Sequence, residues 1–196
     1  MAKPASLLLL LSILTIAATA TATARNGGAS NFIKSECSVA TYPDLCVQSL
    51  SNFASTIQQN PRQLVQTALI VSLSRAQSTR SFVWKLTKFS GLKPREHAAL
   101  KDCMEEVSDT VDRLNKSVEE LKRVSGSKKK DFLWHISNVE TWVSAAMTDE
   151  NTCSDGFAGT ALNGRIKSSV RARIVDVTRV ISNALSLINK YAENQS

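Results

Sequence analysis

The chain has 196 residues, with 24 lysines and arginines against 17 acids, two histidines and four cysteines. That length allows one domain with a substantial core and excludes two large ones. With His97 and His135 as its only imidazoles and no CxxC spacing, the chain lacks the ligand set of a zinc or redox site, and neither metal nor cofactor is expected.

The chain opens with a leader. Lys3 precedes an apolar run from Leu7 to Ala18, and small residues follow, with Ala22-Thr23-Ala24 as an A-x-A cleavage site, so residues 1–24 read as a signal peptide. The run is short for a membrane span, and no second run of about 18 apolar residues follows, so no membrane association is expected. The mature protein is expected to be soluble and secreted. Without Lys3, 23 basic side chains face 17 acids. Outside the cell such a charge favours acidic polysaccharide or an anionic protein surface over nucleic acid, with an attraction that salt weakens. Lys128-Lys129-Lys130 reads as a solvated loop, with polysaccharide binding as its functional alternative.

Residues 25–59 read as a helical hairpin. Arg25 to Ser30 are expected to fray, and Asn31 to Ala40 to form a short helix carrying Cys37. Thr41 stands where an N-cap belongs, Pro43 falls in the first turn, and Asp44 follows three residues on as in a capping box, so a second short helix carries Cys46. A Cys37–Cys46 bridge would staple this hairpin, which is too small to hold a fold alone.

Residues 60–196 read as four long amphipathic helices. Asn60-Pro61 supplies a cap and a first-turn proline for a helix whose apolar positions Val65, Leu69, Leu73, Ala76, Val83 and Leu86 recur at helical spacing, ending near Ser90-Gly91. From Pro94, Leu100, Met104, Val107, Val111, Leu114, Val118 and Leu121 step by fours and threes. Ser125-Gly126-Ser127 and the lysines close that helix. The third runs from Asp131 to Phe157. The fourth follows a glycine-bearing loop, with Ile166, Val170, Ile174, Val177, Ile181, Ala184, Ile188 and Tyr191 on one face. With no strand-period segment, the fold class is all-α: an up-down-up-down four-helix bundle preceded by a disulfide-stapled hairpin.

Four cysteines in a secreted chain imply two disulfides. Cys103 lies 21 residues before Val124, and Cys153 lies 21 residues after Phe132. In antiparallel neighbours both are about 31 Å from the turn, so they meet at one height. The pairing is therefore Cys37–Cys46 and Cys103–Cys153.

The third helix has two faces. At 100° per residue Phe132, Ile136, Val139, Val143, Ala146 and Met147 share a core arc, with Leu133 and Trp142 at its margins. Opposite lie Trp134, Asn138, Thr141, Ala145 and Thr148. A solvated face would carry Lys and Glu, so this uncharged stripe suggests a partner.

Chemistry is harder to find. A hydrolase needs a histidine near a nucleophile, but both cysteine pairs are better used as disulfides, and the two histidines read as structural. GxSxG, HExxH, P-loop and GxGxxG motifs are missing. Glu105-Glu106 and Glu119-Glu120 read as a solvated helix face. The chain is expected to bind, not to catalyse. Sequons occur at Asn115-Lys116-Ser117 and at Asn194-Gln195-Ser196, and Asn115 is the candidate glycosylation site.

These features converge. The leader, a Cys-x8-Cys hairpin containing YPDLC, a third cysteine in KDC and a fourth closing ISNVETWVSAAMTDENTCSDGF make the chain resemble the plant invertase and pectin methylesterase inhibitor family, from about Phe32 to Tyr191. The resemblance implies a protein that binds an enzyme of the apoplast or cell wall, and a secreted monomer is expected. Such a protein blocks an enzyme's active-site cleft by a stoichiometric non-covalent complex. Inhibitors of acid invertase in the family carry Pro-Lys-Phe where this chain has Lys129-Lys130-Asp131-Phe132. The stretch Ile136 to Thr152 looks more like the pectin methylesterase branch, in which a threonine near the end of the third bundle helix, here Thr148, is implicated. Pectin methylesterase is thus the expected partner, with acidic pectin a further one. The alternatives are an invertase inhibitor or a non-inhibitory wall-binding bundle. Asp149, Glu150 and Asn151 are expected to supply pH-sensitive interface contacts. Because the chain stops at Ser196, directly after its last helix, no catalytic domain is expected to follow.

Overall fold

A computed structural model describes residues 27–124 and 128–195. Residues 1–24, for which a signal peptide is expected, and Arg25, Asn26, residues 125–127 and Ser196 lie outside the described residues. Helices α1 (27–37), α2 (Pro43–Leu50) and α3 (Ala54–Ile57) precede four long ones: α4 (Pro61–Thr87), α5 (Pro94–Arg123), α6 (Lys129–Gly156) and α7 (Arg165–Glu193). No strand occurs among the described residues.

Helices α4 and α5 begin for local reasons. The Asn60 side chain accepts from the Arg62 and Gln63 amides, and Pro61 occupies the first turn of α4. Pro94 opens α5, where the Glu96 carboxylate accepts from the Lys93 amide. Contacts between ends give the direction. Arg62, at the start of α4, donates to the Lys122 carbonyl at the end of α5 (3.3 Å). Cys103, early in α5, bonds Cys153, late in α6. Phe132, at the start of α6, meets the Tyr191 ring at the end of α7 (5.7 Å), and Arg75 of α4 pairs with Asp176 of α7. Every neighbour is antiparallel, in the ring α4–α5–α6–α7 closing back on α4. The bundle is the one the apolar spacing predicts.

Four local readings are corrected. Residues 27–30 belong to α1 instead of fraying, because Ala29 buries itself one turn before Ile33. Thr41 is not the cap of α2. Tyr42 holds that position without a side-chain bond, while the Thr41 hydroxyl accepts from Ser182 of α7 (3.0 Å). Helix α4 stops at Thr87, before Ser90-Gly91. The amides of Lys88 and Phe89 reach back only three residues in a tighter turn, and Gly91 follows at φ +125°. Lys129 and Lys130 are not loop residues. Lys128 is extended and its carbonyl accepts from the Phe132 amide (2.8 Å), so α6 starts two residues before Asp131.

The hairpin is stapled by Cys37–Cys46 and docks on α7. Buried Asn183 receives the Tyr42 amide (2.8 Å) and donates back to the Tyr42 carbonyl (2.9 Å). Lys190 pairs with Glu36 (3.1 Å), and Arg179 lies over the Tyr42 ring. These bonds fix the angle at which α1 and α2 cap one end of the bundle.

The bundle interior falls into two apolar clusters. The larger contains the hairpin's Ile33 and Leu50 with Val111, Val139, Ala146 and Ile181. The smaller surrounds Cys103–Cys153 with Val83, Val107, Phe157 and Ile174. Where one gives way to the other, α4, α5 and α6 contribute Thr79, Thr110 and Glu150, all buried. A polar layer thus crosses the core at the height of Glu150.

Candidate functional site: the outer face of α6 and its seam with α5

Helix α6 buries Phe132, Ile136, Val139, Val143 and Ala146, which turns the opposite side outward. Trp134 is 68 % exposed. Thr141 and Thr148 are also exposed, and Ala145 is half-buried. The threonine hydroxyls donate to carbonyls of their own helix, Thr141 to Ser137 (2.8 Å) and Thr148 to Ser144 (3.3 Å). Thr152, one turn beyond Thr148, does the same and is exposed. The reading of the sequence missed Thr152, although it has the same helical phase as Trp134. With their donors engaged, these threonines offer a partner methyl groups and acceptor oxygens on a rigid helix.

Asn138 behaves differently from the rest of the stripe. It is half-buried and donates to Glu120 of α5 (2.9 Å). His135 Nδ1 lies 2.9 Å from the same carboxylate oxygen, and Arg123 reaches the other at 3.1 Å. Glu120 is therefore not part of a solvated face. Burial works against its charge, but the hydrogen bonds from His135 and Asn138, with the His135 and Arg123 charges, hold its carboxyl below the ordinary range. The His135–Glu120 pair ties the two helices at the residue next to Trp134. His97 is exposed.

At the far end of the seam, Asp149 and Glu150 are inside the protein, contrary to the expectation of interface contacts; only Asn151 is exposed. Asp149 is gripped by Arg113 Nε at 2.6 Å, yet burial outweighs that partner and keeps its carboxyl above the usual range. Glu106 is raised by burial and by the charges of Asp149 and Asp109. Glu150 is fully buried, and neither carboxylate oxygen has a hydrogen-bond partner. Burial pushes it up to about 7, opposed by nearby Thr110 and aided by the Asp149 charge. The Thr110 hydroxyl itself donates to the Ala146 carbonyl (3.3 Å). A signal for this was available: Ile136, Val139, Val143, Ala146, Glu150 and Cys153 step by threes and fours, which puts Glu150 in the middle of the core arc.

All described cysteines are in disulfides, and among the described residues no group of three or more His, Cys, Asp or Glu is placed to hold a metal ion. The site is a surface: a convex helix face with an aromatic at one end.

The model of the plant invertase/pectin methylesterase inhibitor family matches residues 31–187. The chain belongs to this family. Among the proteins it resembles, the 21 kDa protein of Daucus carota is 56 % identical over 164 residues, covering 84 % of this chain and 85 % of the relative. Pectinesterase inhibitor 11 of Arabidopsis thaliana is 53 % identical over 166 residues, covering 84 % and 82 %. The inhibitor fold recurs in the crystal structure of a mutant form of a pectin methylesterase inhibitor from Arabidopsis. It superposes with a TM-score of 0.63 at 23 % identity, over 78 % of this chain and 92 % of that one.

Proposed function

We propose that this chain is a proteinaceous inhibitor of pectin methylesterase and not itself an enzyme. The observation that carries the reading is its 53 % identity, over most of both chains, to a protein named as a pectinesterase inhibitor. The exposed stripe of α6 supports a mechanism by occlusion. Trp134 is a rigid aromatic anchor, and Thr141, Ala145 and Thr148 continue a flat, uncharged surface that costs little to desolvate against the enzyme's cleft. Asn138 serves as the stay that holds this surface on Glu120. A complex of this class buries about 1,600 Å² in total.

No described helix is long and apolar enough to cross a membrane. The inhibitor acts as a monomer in the apoplast, where its target works on wall pectin, and acidic pectin is a second ligand. Asn115 is exposed on α5 and is the position for a glycan.

The test is a paired assay of the oxidised protein against a plant pectin methylesterase and an acid invertase, at about pH 5 and about pH 7. Inhibition of the esterase, weakened by Thr148→Arg, is the expected result. Inhibition of invertase alone would move the chain to the family's other target class, and inhibition of neither would overturn the reading.

A further inference from the structure

The charges of the bundle are segregated by helix. Helix α4 carries four basic side chains and no acid, and α7 carries six against two. By contrast, α5 has six basic side chains against eight acids, and α6 two against five. Basic side chains gather where α4 ends, α5 begins and α7 begins, and they outnumber the acids Glu96, Asp102, Glu105 and Glu106 that α5 places there. There Arg80, Lys85, Lys88, Lys93, Arg95, Lys101, Arg165 and Arg171 have no ion pair among the described residues. A cluster of like charges costs folding energy through repulsion, so its persistence without partners points to an external anion.

The same region displays aromatic surface. Arg80, Ser81, Trp84, Lys85 and Met104 line an open groove between α4 and α5. Trp84 is 53 % exposed, and Lys88 lies 5.7 Å from its ring centre. Phe89 is 66 % exposed. On the α7 side Arg173 lies over the Phe82 ring at 4.8 Å. Arg80, Trp84 and Lys88 follow one another at intervals of four, forming a row of about 12 Å in which a flat ring stands between two cations.

We infer that this groove and the basic end around it bind an anionic uronate polysaccharide, with Trp84 under the apolar face of a sugar ring and Arg80 and Lys88 on the carboxylates of its neighbours. The alternation is what selects the occupant. A sugar acid repeats an apolar ring face and a carboxylate along one chain, matching a ring flanked by cations, whereas a fully esterified chain keeps the ring face and loses the charge. The inference deepens the proposed function, since de-esterified pectin is the product of the enzyme inhibited. It would hold the inhibitor on wall that the enzyme has already worked. The site is also separate from the α6 stripe, and it relocates polysaccharide binding from Lys128–Lys130 to the opposite end of the bundle.

The test measures retention of the full oxidised protein on immobilised polygalacturonate, on highly methyl-esterified pectin and on dextran across a salt gradient. Binding to the purified esterase is read separately by calorimetry without polysaccharide. The expected result is salt-sensitive retention on polygalacturonate alone. R80E/K85E/K88E should weaken it about tenfold or more, and Trp84→Ala about threefold or more with no change in net charge. K128E/K129E/K130E should weaken it by less than the first triple variant. Both triple variants and Trp84→Ala should keep the wild-type thermal midpoint within a few degrees and bind the esterase as before. Equal losses from the two triple variants would overturn the inference in favour of net charge, and an unaffected Trp84→Ala would remove the aromatic site. Retention on anionic lipid vesicles but not on polygalacturonate, or self-association in its place, would also overturn it. Lost esterase binding by the wild type would instead sink the proposed function and leave the polysaccharide result standing.

Discussion

The two ends of the α5–α6 seam each bury a carboxylate, and they treat it in opposite ways. Beneath Trp134, Glu120 receives His135, Asn138 and Arg123, and its carboxyl is held low. Near the Cys103–Cys153 bridge, Glu150 has no hydrogen-bond partner and its carboxyl is pushed up to about 7. Burial acts on both; the number of donors decides the sign. One end is locked by polar bonds that favour charge. The other is locked by a covalent bond and tolerates the acid best when it is neutral.

The largest expected effect comes from the covalent lock. Replacing Cys103 and Cys153 by serine removes a bridge between residues 50 apart, and should cost about 4 kcal/mol by denaturant unfolding. The hairpin bridge, at a separation of 9, should cost about 3 kcal/mol or less. A smaller loss at the long bridge than at the short one would show that the Glu150 end does not depend on it.

Next comes Glu150→Gln, compared with wild type across pH. A carboxyl raised from its ordinary 4.5 to about 7 binds more protons folded than unfolded between those values. Its contribution is fully present below about pH 4.5 and is lost as pH rises through about 7, a change of roughly 3 kcal/mol. Glutamine should therefore leave stability unchanged in acid and raise it at about pH 8, flattening the profile. An unchanged pH slope would show that Glu150 finds a donor in solution. At the other end the sign reverses. The depressed Glu120 carboxyl stabilises the fold above its ordinary range, and that contribution is lost as pH falls through its lowered folded value.

Asn138→Ala should cost about 1–3 kcal/mol, because it removes a donor from a buried charge. A neutral result in urea melts would mean that His135 and Arg123 alone satisfy Glu120. Trp134→Ala should have the smallest effect on folding, within about 0.5 kcal/mol for so exposed a side chain. It should nevertheless weaken the esterase complex by about 2 kcal/mol in titration calorimetry. Unchanged affinity would remove Trp134 from the interface and shift attention to Thr148 and Thr152.

Much of the fold could be read from spacing, since Leu100, Val107, Val111, Leu114, Val118 and Leu121 are buried as their periodicity requires and so are Val170 to Tyr191 on the apolar face of α7, while Met104 is only half-buried beside the α4 groove. Glu150 was readable too. Its three-and-four spacing from Ala146 and Cys153 places it in the core, where the type of residue argued otherwise. Asn138 was not readable: its phase puts it at the edge of the outer stripe, and only the rotation of α5 brings Glu120 within 2.9 Å. Thr41 has the residue type of a cap and sits one residue early. Its hydroxyl was claimed by Ser182, 141 positions away.

The sequence by itself determined the four long helices, their order, the antiparallel register and the disulfide between α5 and α6. All of these depend on rise per residue and on which positions must leave water, and both are local properties of one helix. Tertiary structure alone decided which polar residues are free. Whether Glu120, Asn138 and Asp149 face solvent or a partner, and whether buried Glu150 meets a donor, depends on which side chains the neighbouring helix brings opposite them. A buried charge takes its energy from those partners, and no single helix contains them.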